Sequence, residues 1–227
     1  MNQTSNFDPL WEQKYASGHA QRYPWDVIVS FVFRHCPRDK RREDTRILEV
    51  GCGTGANLWF AAREGFQVAG IEGSESAICV ALERFVAEGL KADLRVGDFT
   101  QLPFESSYFD LVIDRGSLVC CNLRAAQCAI EEIHRVLKPG GRFFFNPYSD
   151  HHSSRASGFT DADGMTHAIS EGSMTNVGLI SFYGRQQVET ALRNFKILSL
   201  QHMQYSDQLE ASRYIHAEWR AVAEKPV

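Results

Sequence analysis

Between residues 46 and 146, short apolar runs alternate with longer stretches in which apolar side chains return every three or four positions. The runs have the pattern of buried strands and the periodic stretches that of amphipathic helices. Strands are predicted over residues 47–50, 67–71, 93–96, 109–113 and 142–145, and helices over 57–64, 76–88 and 124–137. The last helix meets Lys138-Pro139-Gly140-Gly141, a stop signal. Upstream, one helix is predicted over 8–17, with Trp11 and Tyr15 on one face, and another over 25–35, with Val27, Ile28, Phe31 and Val32 at helical spacing. The mixed-charge run 38–46 reads as a solvated connection. From 147 to 183 the pattern lapses into polar, Gly- and Ser-rich sequence, and so long a connection is functional or partly disordered. A helix at 185–193 and strands at 195–201 and 214–222 follow, the two strands read as an antiparallel hairpin. No internal repeat is present.

The most informative stretch is RILEVGCGTGANL, Arg46 to Leu58. An apolar run turns at once through Gly51, Gly53 and Gly55, residues suited to positive φ and to close approach of a ligand. Glu72 closes the next run, VAGIE. Strand, glycine turn, helix, strand and acid in this order mark a nucleoside site on a doubly wound α/β sheet. Dinucleotide folds use G-x-G-x-x-G around a pyrophosphate. Here the turn is Gly51-Cys52-Gly53-Thr54-Gly55 with Glu49 before it, a poor neighbour for pyrophosphate and a good one for an ammonium. S-adenosylmethionine carries adenosine, a sulfonium and an amino acid, and no phosphate. At these residues the chain resembles the class I S-adenosylmethionine-dependent methyltransferases.

Composition narrows the classes. At 227 residues the chain fits one domain with a sizeable core, and 44% hydrophobic with 23% charged residues is ordinary for a soluble globular protein. A net charge of −4 disfavours a nucleic-acid partner. The first residues lack the pattern of a signal peptide, and no run has the length of a membrane span, so no membrane partner is expected. Six cysteines without framework or CxxC spacing fit reduced thiols and a cytoplasmic location. Cys120-Cys121 is a poor metal pair, and no metal site is expected.

The resemblance extends from Phe7 onward, through VGDF (Val96 to Phe99), FDLVIDRGSL (Phe109 to Leu118) and LKPGGR (Leu137 to Arg142). It implies a three-layer, doubly wound, seven-stranded, mostly parallel sheet with an antiparallel C-terminal hairpin. A single domain divides into N-terminal helices and lid (1–45), cofactor-binding core (46–146), acceptor-pocket segment (147–183) and C-terminal helix with hairpin (184–227). It implies that Gly51, Gly53 and Gly55 line the methionine moiety of the donor, with Cys52 a small packed side chain between them. Glu49 then sits near the ammonium and Glu72 takes both ribose hydroxyls. Gly73 and Ser74 flank the adenine, Asp98 accepts from its amine and the Phe99 N–H reaches a ring nitrogen. Asp114 meets the methionine end or the acceptor. Tyr15 and Tyr23 are read as lid residues near the sulfonium, and Trp11 and Trp25 as aromatic neighbours, Trp25 in packing.

The acceptor side carries weaker signals. Asn146-Pro147-Tyr148 is similar to the Asn-Pro-Pro-Tyr motif of amino-methylating enzymes, but it follows the fifth strand rather than the fourth and lacks the second proline. It reads as a turn, with Tyr148 a candidate substrate contact. His151 and His152 follow at the carboxyl edge of the sheet, where each is either a general base or an exposed loop residue. Arg115 and Arg155 either pair with a carboxylate or phosphate on the acceptor or form surface ion pairs. His167, Met174 and Phe182 are candidate pocket walls. The expectation is methyl transfer from S-adenosylmethionine to an O or N atom of a small molecule. The rivals are a non-catalytic binder of that cofactor, a protein or nucleic-acid methyltransferase, and a nicotinamide-dependent oxidoreductase. Oligomeric state leaves no trace in the sequence.

Overall fold

A computed structural model describes residues 7–209 and 214–227. The five expected apolar runs form β1 (Arg46–Val50), β2 (Gln67–Glu72), β3 (Asp93–Val96), β4 (Phe109–Asp114) and β5 (Leu137–Phe145). Three short strands, β6 (Phe159–Thr160), β7 (Met165–His167) and β8 (Ile180–Ser181), precede the long β9 (Lys196–Ser206) and β10 (Ile215–Glu224). The main sheet has the order β3-β2-β1-β4-β5-β10-β9. β10 inserts between β5 and β9 and runs antiparallel to both, so β9 lies at the edge parallel to the other five. The expected antiparallel hairpin is the β9–β10 pair, with β10 as its inner strand beside β5.

Register sets the site. Val50 pairs with Ile71 and Asp114, and Asp114 with Phe145. The four strands therefore end level, and the turns that leave them share one edge, where open α/β sheets bind ligands. β1 and β4 lie at the centre with both faces covered, which explains why they are apolar apart from Arg46, Glu49, Asp110 and Asp114.

The helices α1 (Pro9–Ala16), α2 (Asp26–His35), α3 (Ala56–Arg63), α4 (Glu75–Ala87), α5 (Leu123–Val136) and α6 (Arg185–Ala191) complete the layers. Alternate side chains of β1 and β4 feed two cores. Ile47, Leu111 and Ile113 pack with Ile28, Phe31, Leu58 and Phe85 from α2, α3 and α4. Leu48, Val50 and Val112 pack with Ile130 and Ile133 of α5 and with Ile169, Ile180 and Tyr183 from the loop region.

Two expectations change. β5 begins five residues earlier than its apolar run, because the pairing slips from Phe109↔Leu137 to Leu111↔Arg142 and the intervening Lys-Pro-Gly-Gly bulges out. Lys138 and Lys40 both bond the buried Asp110 carboxylate there, at 2.8 and 2.5 Å. The polar segment 147–183 is an ordered layer, the sheet β6-β7-β8 plus a 3-10 turn at Ser153–Ser157. Its hydroxyls replace missing apolar contacts. Ser154 Oγ accepts from the Met174 N–H, and Ser181 Oγ donates to the Cys121 carbonyl. Among the described residues all six cysteines are free, no helix is long and apolar enough to cross a membrane, and no cluster of three or more His, Cys, Asp or Glu residues could hold a metal.

Candidate functional site

The turn after β1 leaves no room for side chains. At Gly51, φ is +62°, and a Cβ would lie 2.2 Å from Ser117 Cβ. At Gly53, φ is +51°, and a Cβ would meet the Tyr15 hydroxyl at 2.7 Å. This close approach brings the Gly53 N–H to Glu72 Oε2 at 2.9 Å, while the Ser74 N–H donates to Glu72 Oε1 at 3.0 Å. Each carboxylate oxygen keeps a further lone pair. Burial raises the Glu72 pKa, against the pull of these amides.

Glu49 is the more exposed to electrostatic cost, since it is wholly enclosed. Its Oε1 accepts from Asn57 Nδ2 at 2.7 Å, and its Oε2 has no partner. Burial pushes its pKa to about 8 despite the Asn57 bond, and the nearby Asp114 and Glu72 add to the rise. Asn57 also accepts from the Trp25 N–H at 3.0 Å, tying the start of α2 to this acid.

These groups face one cavity of about 360 Å³. Glu49, Gly51, Cys52, Gly53, Glu72 and Gly73 form its floor, with Asp98 and Phe99 beside them. Asp98 Oδ1 caps Thr100, accepting from its N–H and hydroxyl at 2.8 and 2.7 Å. Helix α1 and the residues after it make the roof, with Phe7, Asp8, Trp11, Tyr15, His19 and Trp25 on the wall. Glu12 fastens this roof, accepting from the Ser74 and Ser76 hydroxyls at 2.5 Å each. Those hydroxyls, Ser74 foremost, lower the Glu12 pKa. The Tyr15 phenol is driven far up by burial and stays neutral.

The opposite wall holds Arg115, Tyr148, Ser173, Met174 and Val177. The Arg115 guanidinium carbon lies 4.1 Å from the Trp25 ring centre, and its Nη2 is 3.6 Å from Glu218 Oε2. Burial opposes ionisation of Glu218, but His216, Arg115 and Arg220 overcome it and hold its pKa at about 2.

Several expected site residues stand off the cavity wall. Tyr23 is 67% exposed and points away, since the chain there runs over the surface. Gly55 caps α3 and is packed by Ala81 and Phe85 of α4. Ser74 caps α4 behind Gly73 and is fully buried. Asp114 turns into the loop after β4, its Oδ1 accepting from the N–H groups of Ser117 and Leu118. His151 is an exposed loop residue beside His202. His152 is buried, its Nδ1 accepting from the Ser154 N–H, and burial depresses its pKa to about 4. Arg155 is exposed on the 3-10 turn. His167 pairs with Asp161 at 2.6 Å, and Phe182 is core, leaving Met174 on the wall.

The wall also carries residues without an earlier assignment: Asn57, His19, Ser117, Cys120 and Ser173. Asn57 follows the glycine turn and was legible from position; Ser173 lies in polar sequence with no local signal.

A family profile described as "Methyltransferase domain" matches residues 47–141, the stretch that holds the glycine turn, Glu72, Asp98 and Arg115. Over these residues the chain is similar to a methyltransferase domain. It is similar to cypemycin N-terminal methyltransferase from Streptomyces sp., 26% identical over 191 residues, 83% of this chain and 74% of that one. It is similar also to demethylmenaquinone methyltransferase from Symbiobacterium thermophilum, 33% identical over 144 residues, 61% of this chain and 53% of that one. The chain thus spans only about half the length of the second relative. A solved S-adenosylmethionine-dependent methyltransferase from Methanosarcina mazei shares the fold, with TM-score 0.71 and 20% identity over 90% of this chain and 99% of that one. Glu49 Oε2 has no hydrogen-bond partner and Glu72 accepts from two backbone N–H groups, an arrangement that suits a ligand bearing an ammonium and a diol.

Proposed function

We propose that this chain transfers a methyl group from S-adenosylmethionine to an oxygen or nitrogen of a small molecule held in the same cavity. The observation that carries the reading is the pair of buried acids, Glu49 and Glu72, on either side of a glycine turn whose Cβ positions are already filled. When bound, S-adenosylmethionine supplies a methyl group activated by its sulfonium. Glu49 holds the ammonium through its unpartnered Oε2, and Glu72 takes the ribose hydroxyls on the lone pairs its amide contacts leave unused. Gly51, Cys52 and Gly53 pass along the methionine chain, and Gly73, Asp98 and Phe99 border the base. Gly55, Ser74 and Asp114 act as positioning residues for these loops. Tyr15 and Trp11 close the roof and exclude water.

Holding acceptor and donor at attack distance is worth up to ~7–11 kcal/mol. A base for a hydroxyl or amine acceptor is supplied by His19, the histidine on the cavity wall, rather than by His151 or His152. The roof over the cavity supports a small acceptor, and the net charge of −4 argues against a polyanion. Calorimetric titration with S-adenosylmethionine and S-adenosylhomocysteine tests the reading. Micromolar binding that is lost in Glu72→Ala supports it, and no binding to the unmodified chain overturns it.

A further inference from the structure

The end of the cavity away from the two acids is built to donate hydrogen bonds. Arg115 follows β4 directly, and its side chain is only 9% exposed. Trp25 covers one face of the guanidinium, and Nε, fully buried, has no partner. The nearest carboxylate oxygen, Glu218 Oε2, stands at 3.6 Å, past hydrogen-bond reach. Glu218 is instead taken by Arg220 Nε at 2.6 Å. A buried guanidinium with unused N–H groups in a cavity wall is costly until a ligand accepts from them.

Ser173 adds a second donor by elimination. The Ser154 N–H donates to His152 Nδ1 at 3.2 Å, so the ring proton of the neutral imidazole lies on Nε2. That N–H donates to Ser173 Oγ at 3.2 Å. The Ser173 proton is then left to be given elsewhere, on a residue that lines the cavity. Tyr148, beside Arg115 on the same wall, completes the group. The acid on this stretch of wall, Asp8, is occupied in capping α1 through the Leu10 N–H at 2.9 Å.

We infer that Arg115, with Ser173 and Tyr148, binds a carboxylate of the methyl acceptor, so that the substrate class is a small organic acid bearing a hydroxyl or amine. This rests on the reading of the opposite end as the donor site. A planar guanidinium fork matches a carboxylate. Arg115 and Arg220 both pair with Glu218, Arg220 the more closely, so the wall carries little net positive charge beyond Arg115 and suits a monoanion better than a phosphate dianion. Trp25, Met174 and Val177 offer apolar contact to the body of such an acid.

The test is ligand-observed NMR titration with benzoate, phenylacetate, 3-phenylpropanoate and hexanoate, each beside its primary amide, and with phenyl phosphate. It is run with and without saturating S-adenosylhomocysteine. At least one acid is expected to bind about 10–100-fold more tightly than its amide. That preference should vanish in Arg115→Gln, return only in part in Arg115→Lys, and weaken in Ser173→Ala. Unchanged S-adenosylhomocysteine affinity in each variant reports an intact fold. No acid surpassing its amide, or a preference that survives Arg115→Gln, overturns the proposal. Phenyl phosphate binding more tightly than every acid overturns it in favour of a phosphate monoester. Failure of S-adenosylhomocysteine to bind the unmodified chain overturns the donor reading instead, while the titration without it still decides the role of Arg115.

Discussion

Glu49→Gln should stabilise the free protein and at the same time remove donor binding. The Glu49 carboxyl has a pKa of about 8 against an ordinary 4.5, because burial, with Asp114 and Glu72 nearby, outweighs the Asn57 hydrogen bond and the Arg115 charge. The raised value means that the folded state binds the proton more tightly than the unfolded chain. Stability is therefore greatest below the unfolded value and falls as pH rises from about 4.5 to about 8, after which it levels. Each pKa unit is worth about 1.4 kcal/mol, so the cost near pH 7 is on the order of 3 kcal/mol. A neutral amide of the same shape escapes it. At about 2–4 °C per kcal/mol for a chain of this size, the variant should melt roughly 6–12 °C higher at pH 7 and equally at pH 4. Binding an ammonium requires the ionised form, only about one molecule in ten at pH 7, so donor binding should release close to one proton. Thermal unfolding at several pH values gives the first quantity. Calorimetry in two buffers of different ionisation enthalpy gives the second. A variant that melts no higher than the parent at pH 7, or binding without proton release, would refute the reasoning.

Other outcomes follow from neighbouring contacts. Glu12→Gln removes the charge that holds the Ser74 and Ser76 hydroxyls, so α1 should loosen; hydrogen exchange over residues 9–16 should quicken and donor release accelerate, with melting little changed. Gly51→Ala puts a Cβ 2.2 Å from Ser117 Cβ at a φ of +62°, and should cost at least about 1–3 kcal/mol by denaturant titration with loss of donor affinity. His151→Ala should leave turnover unchanged, because the side chain is exposed outside the cavity wall. His19→Ala should lower kcat by roughly 10²–10⁴-fold if the acceptor must lose a proton, with donor affinity retained.

The local pattern was sufficient for the glycine turn and the two acids beside it. The glycine turn, Glu49 and Glu72 lie within one strand–helix–strand unit, and their relation is set by backbone geometry over some twenty-five residues. The apolar runs of β1 and β4 likewise announced a sheet covered on both faces. Asp114 finds partners among its neighbours in sequence, since its Oδ1 accepts from the Ser117 and Leu118 N–H groups and so structures the loop after β4. His152 does likewise, since its ring caps the turn that follows it.

What only the tertiary structure decided is the wall around Arg115 and the state of the acids. Arg115, Trp25, Ser173 and Glu218 come from four distant parts of the chain, and no spacing rule relates them. The insertion of β10 between β5 and β9 brings Glu218 behind Arg115, while the hydroxyl-rich layer of β6, β7 and β8 carries Ser173 to the wall. The sequence by itself determined the α/β sheet and the glycine turn, because these depend on periodicity and on glycine conformations that act over a few residues. The pKa of Glu49 and the free donors of Arg115 were decided by burial, a property of the assembled fold in which each group meets the dielectric and partners that distant segments supply.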